Sequence, residues 1–134
     1  MKLYRSMIPG PDGLPLLGRS ARKLGVRTPG DVAVGVDPDV LATAPDDILA
    51  PSEGGISTAP DDAINLVPLR RPRALGGRST DPVGEIDSAS LGADLAIRQD
   101  SAKHVLIEPA RPMTLMEYEQ ALATIRGRWV RVIG

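Results

Sequence analysis

Glycine and proline constrain this chain more than any other feature. The 134 residues include 14 Gly and 13 Pro, about a fifth of the chain, well above ordinary usage. Proline removes a backbone donor, and glycine pays extra entropy in any regular element. Short strands joined by turns are therefore expected, not a bundle of long helices. The core must be built without phenylalanine and with only one Trp and two Tyr. Packing then falls to Leu, Val, Ile, Ala and Met. A hydrophobic content of 42% with a net charge of −1 is nonetheless globular in character. The length suits a single domain over residues 1–134.

Several classes of function are disfavoured by composition. Without cysteine there is no disulfide, no thiol nucleophile and no Cys-ligated zinc. One histidine is too few for a structural zinc site, so no metal is expected. No apolar run is long enough for a cleaved leader or a membrane span. The expectation is a soluble, cytoplasmic protein without a membrane partner, exported if at all without a cleaved signal peptide. Balanced charge and few aromatics argue against nucleic-acid binding. The arginines at 70, 71, 73, 126, 128 and 131 are the only basis for a nucleic-acid or nuclease reading.

Along the chain, Lys2 to Met7 reads as a strand. Alternation puts Leu3, Arg5 and Met7 on one face. An arginine sharing an apolar face needs a partner or a bound anion. Pro11-Asp12-Gly13 is a turn. Ser20 to Leu24 reads as a short helix closed by Gly25, and Val32, Val34 and Val36 as a short strand. Asp37 to Pro51 is irregular, with one helical turn near Val40. Gly54 and Gly55 enter a small-residue strand carrying Ile56, Ser57 and Thr58. Residues 79–92 read as loop, Leu95 to Arg98 as a strand, and Gln99 to Lys103 as a turn. His104, Leu106 and Glu108 share one face of the next strand. Thr114 and Glu117 form a capping-box pattern. They open a helix over 115–129 with an apolar stripe of Leu115, Tyr118, Leu122, Ile125 and Trp129.

Three separated pieces carry chemistry: Arg5, the Ser57-Thr58 pair, and His104 with Glu108. An arginine fork can hold a diphosphate. A carboxylate can stabilise an oxocarbenium-like ribose and bind its hydroxyls. Those are the demands of releasing nicotinamide from NAD. Residues four apart on a straight strand are separated by roughly 13 Å. His104 and Glu108 therefore cannot act on one atom unless the strand is bulged. Tyr4 faces away from Arg5, so nicotinamide stacking is not assigned to it.

The chain resembles the type VI secretion cytotoxins with an ADP-ribosyltransferase-like fold. The matching pieces are Leu3-Tyr4-Arg5, the stretch from Pro51 to Ser57, and Gln99-Asp100-Ser101 through His104 and Pro109 to Trp129. They are colinear along almost the whole chain. The resemblance implies an α+β domain with a short-stranded, mostly antiparallel split sheet and a C-terminal helix. It implies an antibacterial toxin acting in the recipient cytoplasm on NAD. Such a toxin would be a mono-ADP-ribosyltransferase or an NAD glycohydrolase, with an unknown cellular target and a cognate immunity protein. Arg5 then matches the arginine that opens the transferase signature, Ser57 with Thr58 the central hydroxyl motif, and His104 a histidine that the toxins carry. Catalysis would fall to Arg5, Ser57, His104 and Glu108, and NAD binding to Arg5, Ser57, Thr58 and His104. Two departures stand out. Ile56 takes the place of a hydroxyl residue, and there is no Gln/Glu-x-Glu motif, for which Glu108 is the best-placed substitute. The alternative is a catalytically inactive module of the same fold that acts by gripping a protein partner.

Overall fold

The computed structural model describes residues 1–134. Eight strands and one α-helix follow in chain order: β1 (Lys2–Ser6), β2 (Ile48–Leu49), β3 (Ile56–Pro60), β4 (Val83–Asp87), β5 (Leu95–Ser101), β6 (His104–Pro109), β7 (Met113–Thr114), α1 (Leu115–Thr124) and β8 (Val130–Ile133). Six strands form one sheet in the order β5-β6-β3-β1-β4-β8, and β2 pairs with β7 in a second. Every pairing is antiparallel. The fold is thus the α+β arrangement expected, a mostly antiparallel sheet with a C-terminal helix.

The sheet is unevenly knitted. β1 pairs with β4 along its whole length, from Lys2↔Asp87 to Ser6↔Val83. Against β3 it pairs only at Leu3↔Pro60 and Tyr4↔Ala59. β3 turns instead to β6, with Ile56↔Ile107, Ser57↔Leu106 and Thr58↔Val105. The sheet is therefore split between Arg5 and Ser57.

One apolar cluster fills the space between the large sheet and α1, with Leu3, Ile56, Ile86, Val105, Ile107, Leu115 and Leu122 nearly or fully buried. Tyr118 is its largest fully buried side chain. Its hydroxyl donates to Ile107 O and accepts from Ile56 N at 3.1 Å. That hydroxyl clamps β3 to β6 behind the split. Gly55 makes room for it. A Cβ there would lie 2.1 Å from Ile107 O and 3.0 Å from the Tyr118 hydroxyl.

The helix starts as its capping box requires. Thr114 Oγ1 accepts from Glu117 N at 3.1 Å, and Glu117 Oε1 accepts from Thr114 N at 3.1 Å. It stops at Thr124 rather than Trp129, and a 3-10 turn over Arg126–Arg128 follows. The stripe nonetheless stays buried through Ile125 and Trp129. Other local expectations differ from the structure: no helical turn forms near Val40, and β2 lies in the stretch expected to be irregular. Residues 20–24 form turns, not a helix. Val32 to Val36 is loop, with Val34 fully exposed; Gly35 at φ +84° breaks its extension. β4 lies within the stretch expected to be loop, and β5 continues to Ser101 through a bulge. No helix is long and apolar enough to cross a membrane.

Candidate functional site

The split opens into a cleft of about 640 Å³. Arg5, Ser57, Thr58 and His104 all line it. These four residues are distant in sequence, and the strand order β6-β3-β1 brings them together.

Arg5 is only 5% exposed. Its Nη1 donates to Ser57 O at 2.8 Å, bridging the gap where β1 and β3 part. Nε and Nη2 donate to Lys23 O at 3.2 and 2.7 Å. Nη2 also reaches Ser20 O at 3.3 Å and Gly25 O at 3.4 Å. All these partners are neutral carbonyls. The positive charge is buried with no carboxylate bonded to it, and burial pulls its pKa down to about 10, against a smaller opposing pull from Asp39. A guanidinium has five N–H groups; one on Nη1 is left over. The turn at residues 20–25 is shaped around this side chain, which is why it is not helical. Gly25 allows the close packing, since a Cβ there would lie 2.1 Å from Gly18 O.

Ser57 lends its carbonyl to Arg5, and its residue lines the cleft. Thr58 is buried, and its hydroxyl donates to Val105 O at 2.8 Å. Its lone pairs remain, but its proton ties β3 to β6. Ile56, standing where a hydroxyl was expected, is fully buried in the core. A hydroxyl at that position would be packed among apolar groups and away from the cleft.

His104 begins β6 and sits opposite Ser101. Its Nδ1 lies 2.6 Å from Asp100 Oδ1. A carboxylate only accepts, so Nδ1 is the donor of this pair, and Nε2 is the ring nitrogen not engaged by it. The pair exists because β5 bulges between Gln99 and Ser101. Reading 99–103 as a plain turn concealed it.

Glu108 is not brought to the cleft. It is buried near the far end of β6, where Arg98 Nε donates to Oε2 at 3.0 Å. The extended strand keeps it apart from His104, as its length requires.

Several cleft residues were not singled out as site residues from sequence. Arg27, Arg70, Arg71 and Lys103 line the cleft beside Arg5. These five cationic side chains face a single lining carboxylate, Asp39. From sequence, an exposed basic loop is the favoured account of Arg70, Arg71 and Arg73 over one that holds phosphates or a partner. Folding shows why two of the three arginines differ: Arg70 and Arg71 are half-buried, while Arg73 is exposed. Arg70 lies 3.8 Å from Asp81, but Asp81 is already held by both arms of Arg22 at 2.7 Å. The other arginines of the basic set are committed elsewhere. Arg126 is bonded to Asp12, Arg128 to Ser90 O and Arg131 to Gly13 O. The 64–69 segment forms an apolar wall, with Ile64, Val67 and Leu69 exposed. No aromatic side chain lines the cleft. Tyr4 points away, its hydroxyl donating to Glu85 at 2.9 Å.

A split antiparallel sheet thus gathers a buried arginine, a serine and a histidine around one cationic cleft. Comparison with protein families matches residues 2–129 to one described as Tse2 ADP-ribosyltransferase toxin. The chain belongs to that family of ADP-ribosyltransferase toxins. Comparison with curated proteins gives no match.

Proposed function

We propose that this protein binds NAD in the cleft between β1 and β3 and transfers its ADP-ribose to a target in the cytoplasm of a rival bacterium. Hydrolysis of the dinucleotide is the outcome when water is the acceptor. The observation that carries this reading is Arg5: a buried cation, bonded only to carbonyls, on the lining of a cleft rich in further cations. A site of this kind wants an anion, and a dinucleotide diphosphate supplies two charges. Arg5 contributes its remaining N–H and its field, and Arg70 and Arg71 add charge along the same wall. The exposed apolar residues of segment 64–69 offer a surface for a base or the nicotinamide ring. Ser57 orients a ribose. His104, its Nδ1 proton held by Asp100, uses Nε2 to accept the proton of the attacking group. Thr58 supports the site through its bond to Val105.

Delivery by type VI secretion and neutralisation by a cognate immunity protein complete the reading, and both rest on the family resemblance. An inactive binding module is the second reading, favoured by the absence of Glu108 from the cleft. Expression in a susceptible bacterium separates them. Wild-type chain arrests growth, and alanine at Arg5, Ser57 or His104 relieves the arrest while the protein still accumulates folded. Full toxicity in all three variants would leave only the binding module.

A further inference from the structure

The transfer reaction needs negative charge beside the ribose, and Glu108 is elsewhere. Asp39 is the one carboxylate that lines the cleft. It is firmly placed. Its backbone N donates to Arg27 O at 2.9 Å, and its own carbonyl packs on Gly54, where a Cβ would lie 2.1 Å away. Gly54 has φ +130°, so the first glycine of the pair exists for this approach. Oδ2 accepts from Arg27 N at 2.8 Å and Nε at 3.1 Å, while Oδ1 accepts only from Nη2 at 2.9 Å. A carboxylate oxygen takes about two donors, so Oδ1 has capacity left. The Asp39 side chain is 10% exposed and that of Arg27 is 29% exposed. The carboxylate is fixed, and its counter-ion is the more accessible partner. Arg27 also lines the cleft, where a diphosphate competes for its fork.

We propose that Asp39 is the carboxylate that stabilises the ribose cation, and that Arg27 masks it until the dinucleotide diphosphate draws the guanidinium away. This rests on the NAD reading given above. In the step, the bond between ribose C1′ and the nicotinamide nitrogen breaks. Both electrons stay on the ring nitrogen, and the pyridinium leaves as neutral nicotinamide. Positive charge on C1′ faces Asp39 until a lone pair of the acceptor forms the new bond. The acceptor proton passes to His104 Nε2 and then to solvent. Because the diphosphate and the ribose belong to one molecule, full negative charge is presented only when substrate is bound. Interactions realised at that stage accelerate the chemistry instead of merely tightening binding.

The test is nicotinamide release from NAD by the purified full chain with extract of a susceptible bacterium. NAD binding is measured by calorimetry, and folding by thermal unfolding. Asp39→Asn is expected to lower kcat by about 100-fold or more, the usual scale for removing one preorganised electrostatic group, with NAD affinity within about threefold. Arg27→Gln keeps the carboxylate and removes the mask. It is expected to raise the KM for NAD about tenfold with kcat within about threefold, because a phosphate contact is lost and the ribose contact is not. A folded Asp39→Asn that keeps wild-type turnover overturns the proposal and leaves the NAD reading standing. Loss of turnover in Glu108→Gln beside an active Asp39→Asn does the same. Should Asp39→Asn fail to fold, Arg27→Gln decides: retained kcat supports the proposal, and a collapse of kcat in a folded protein overturns it in favour of a structural pair. Wild-type chain that binds no NAD and releases no nicotinamide overturns both readings together.

Discussion

Tyr118→Phe isolates the hydroxyl that holds the two halves of the site together. The ring stays, so the packing of a fully buried side chain is unchanged. Only two hydrogen bonds go, one donated to Ile107 O and one accepted from Ile56 N at 3.1 Å. Neither backbone group can reach water through the core. A buried donor or acceptor left without its partner costs about 1–3 kcal/mol. The carbonyl sits at the low end of that range because a second lone pair remains. Removing the hydroxyl also returns its own desolvation cost. The gross loss is roughly 2–4 kcal/mol, and the returned desolvation brings the net expectation to about 1–3 kcal/mol, a large share of the stability of a domain of this size. Urea unfolding measures it, with an unchanged slope showing that the denatured state is unaltered. Hydrogen exchange at the Ile56 amide gives a local reading, with protection falling first there. A variant within about 0.5 kcal/mol of wild type, the range of an inert surface change, would refute the idea that this hydroxyl is the clamp between β3 and β6.

Three further outcomes follow from the same geometry. Gly55→Ala puts a Cβ 2.1 Å from Ile107 O, a backbone atom that cannot swing aside; a loss of at least about 2 kcal/mol by urea unfolding is expected, and wild-type stability would contradict the close approach. Arg5→Lys replaces a fork by a single ammonium, which cannot serve Ser20, Lys23, Gly25 and Ser57 at once; both Tm and NAD affinity should fall, the latter about tenfold or more, as read by thermal unfolding and calorimetry. Acid should unfold the protein in a defined window. Bonds from Arg22 hold Asp81 below its ordinary pKa, and bonds from Tyr4 and Lys2 do the same for Glu85. Folded-state values below the unfolded ones mean stability that is complete above about pH 4–5 and lost as pH drops through the lowered values. Tm should be level from pH 7 to 5 and decline steadily towards pH 2, and a flat profile to pH 2.5 would show that these pairs contribute nothing.

How much of this site could be read from the chain depends on the range of the interaction. Arg5 was legible because alternation in a short strand placed it with Leu3 and Met7, where a bare charge cannot rest. Ser57 and Thr58 were legible as hydroxyls after a double glycine. The reason for the glycines was not, since Gly54 answers to Asp39 and Gly55 to Ile107 and Tyr118. His104 was conspicuous as the only histidine, but Asp100 became its partner through a bulge that no local pattern announces. β4 escaped notice because Gly84 interrupts its pattern; the glycine packs where the Met7 and Trp129 side chains would each lie 3.2 Å from a Cβ. β8 is an edge strand with three of its four residues exposed, and no strand is read from sequence beyond the helix expected to end at Trp129. Arg27, Asp39, Arg70 and Arg71 lie outside the large sheet, and only tertiary folding turns them toward one cleft.

The central claim is that this cleft cleaves NAD, and nicotinamide release by the purified chain tests it most directly, with and without extract of a susceptible bacterium. The account predicts release that is faster with extract, because the target is the better acceptor. It also predicts that release is abolished by Arg5→Ala and His104→Ala in folded protein. No release in either condition, together with no NAD binding by calorimetry, would contradict it.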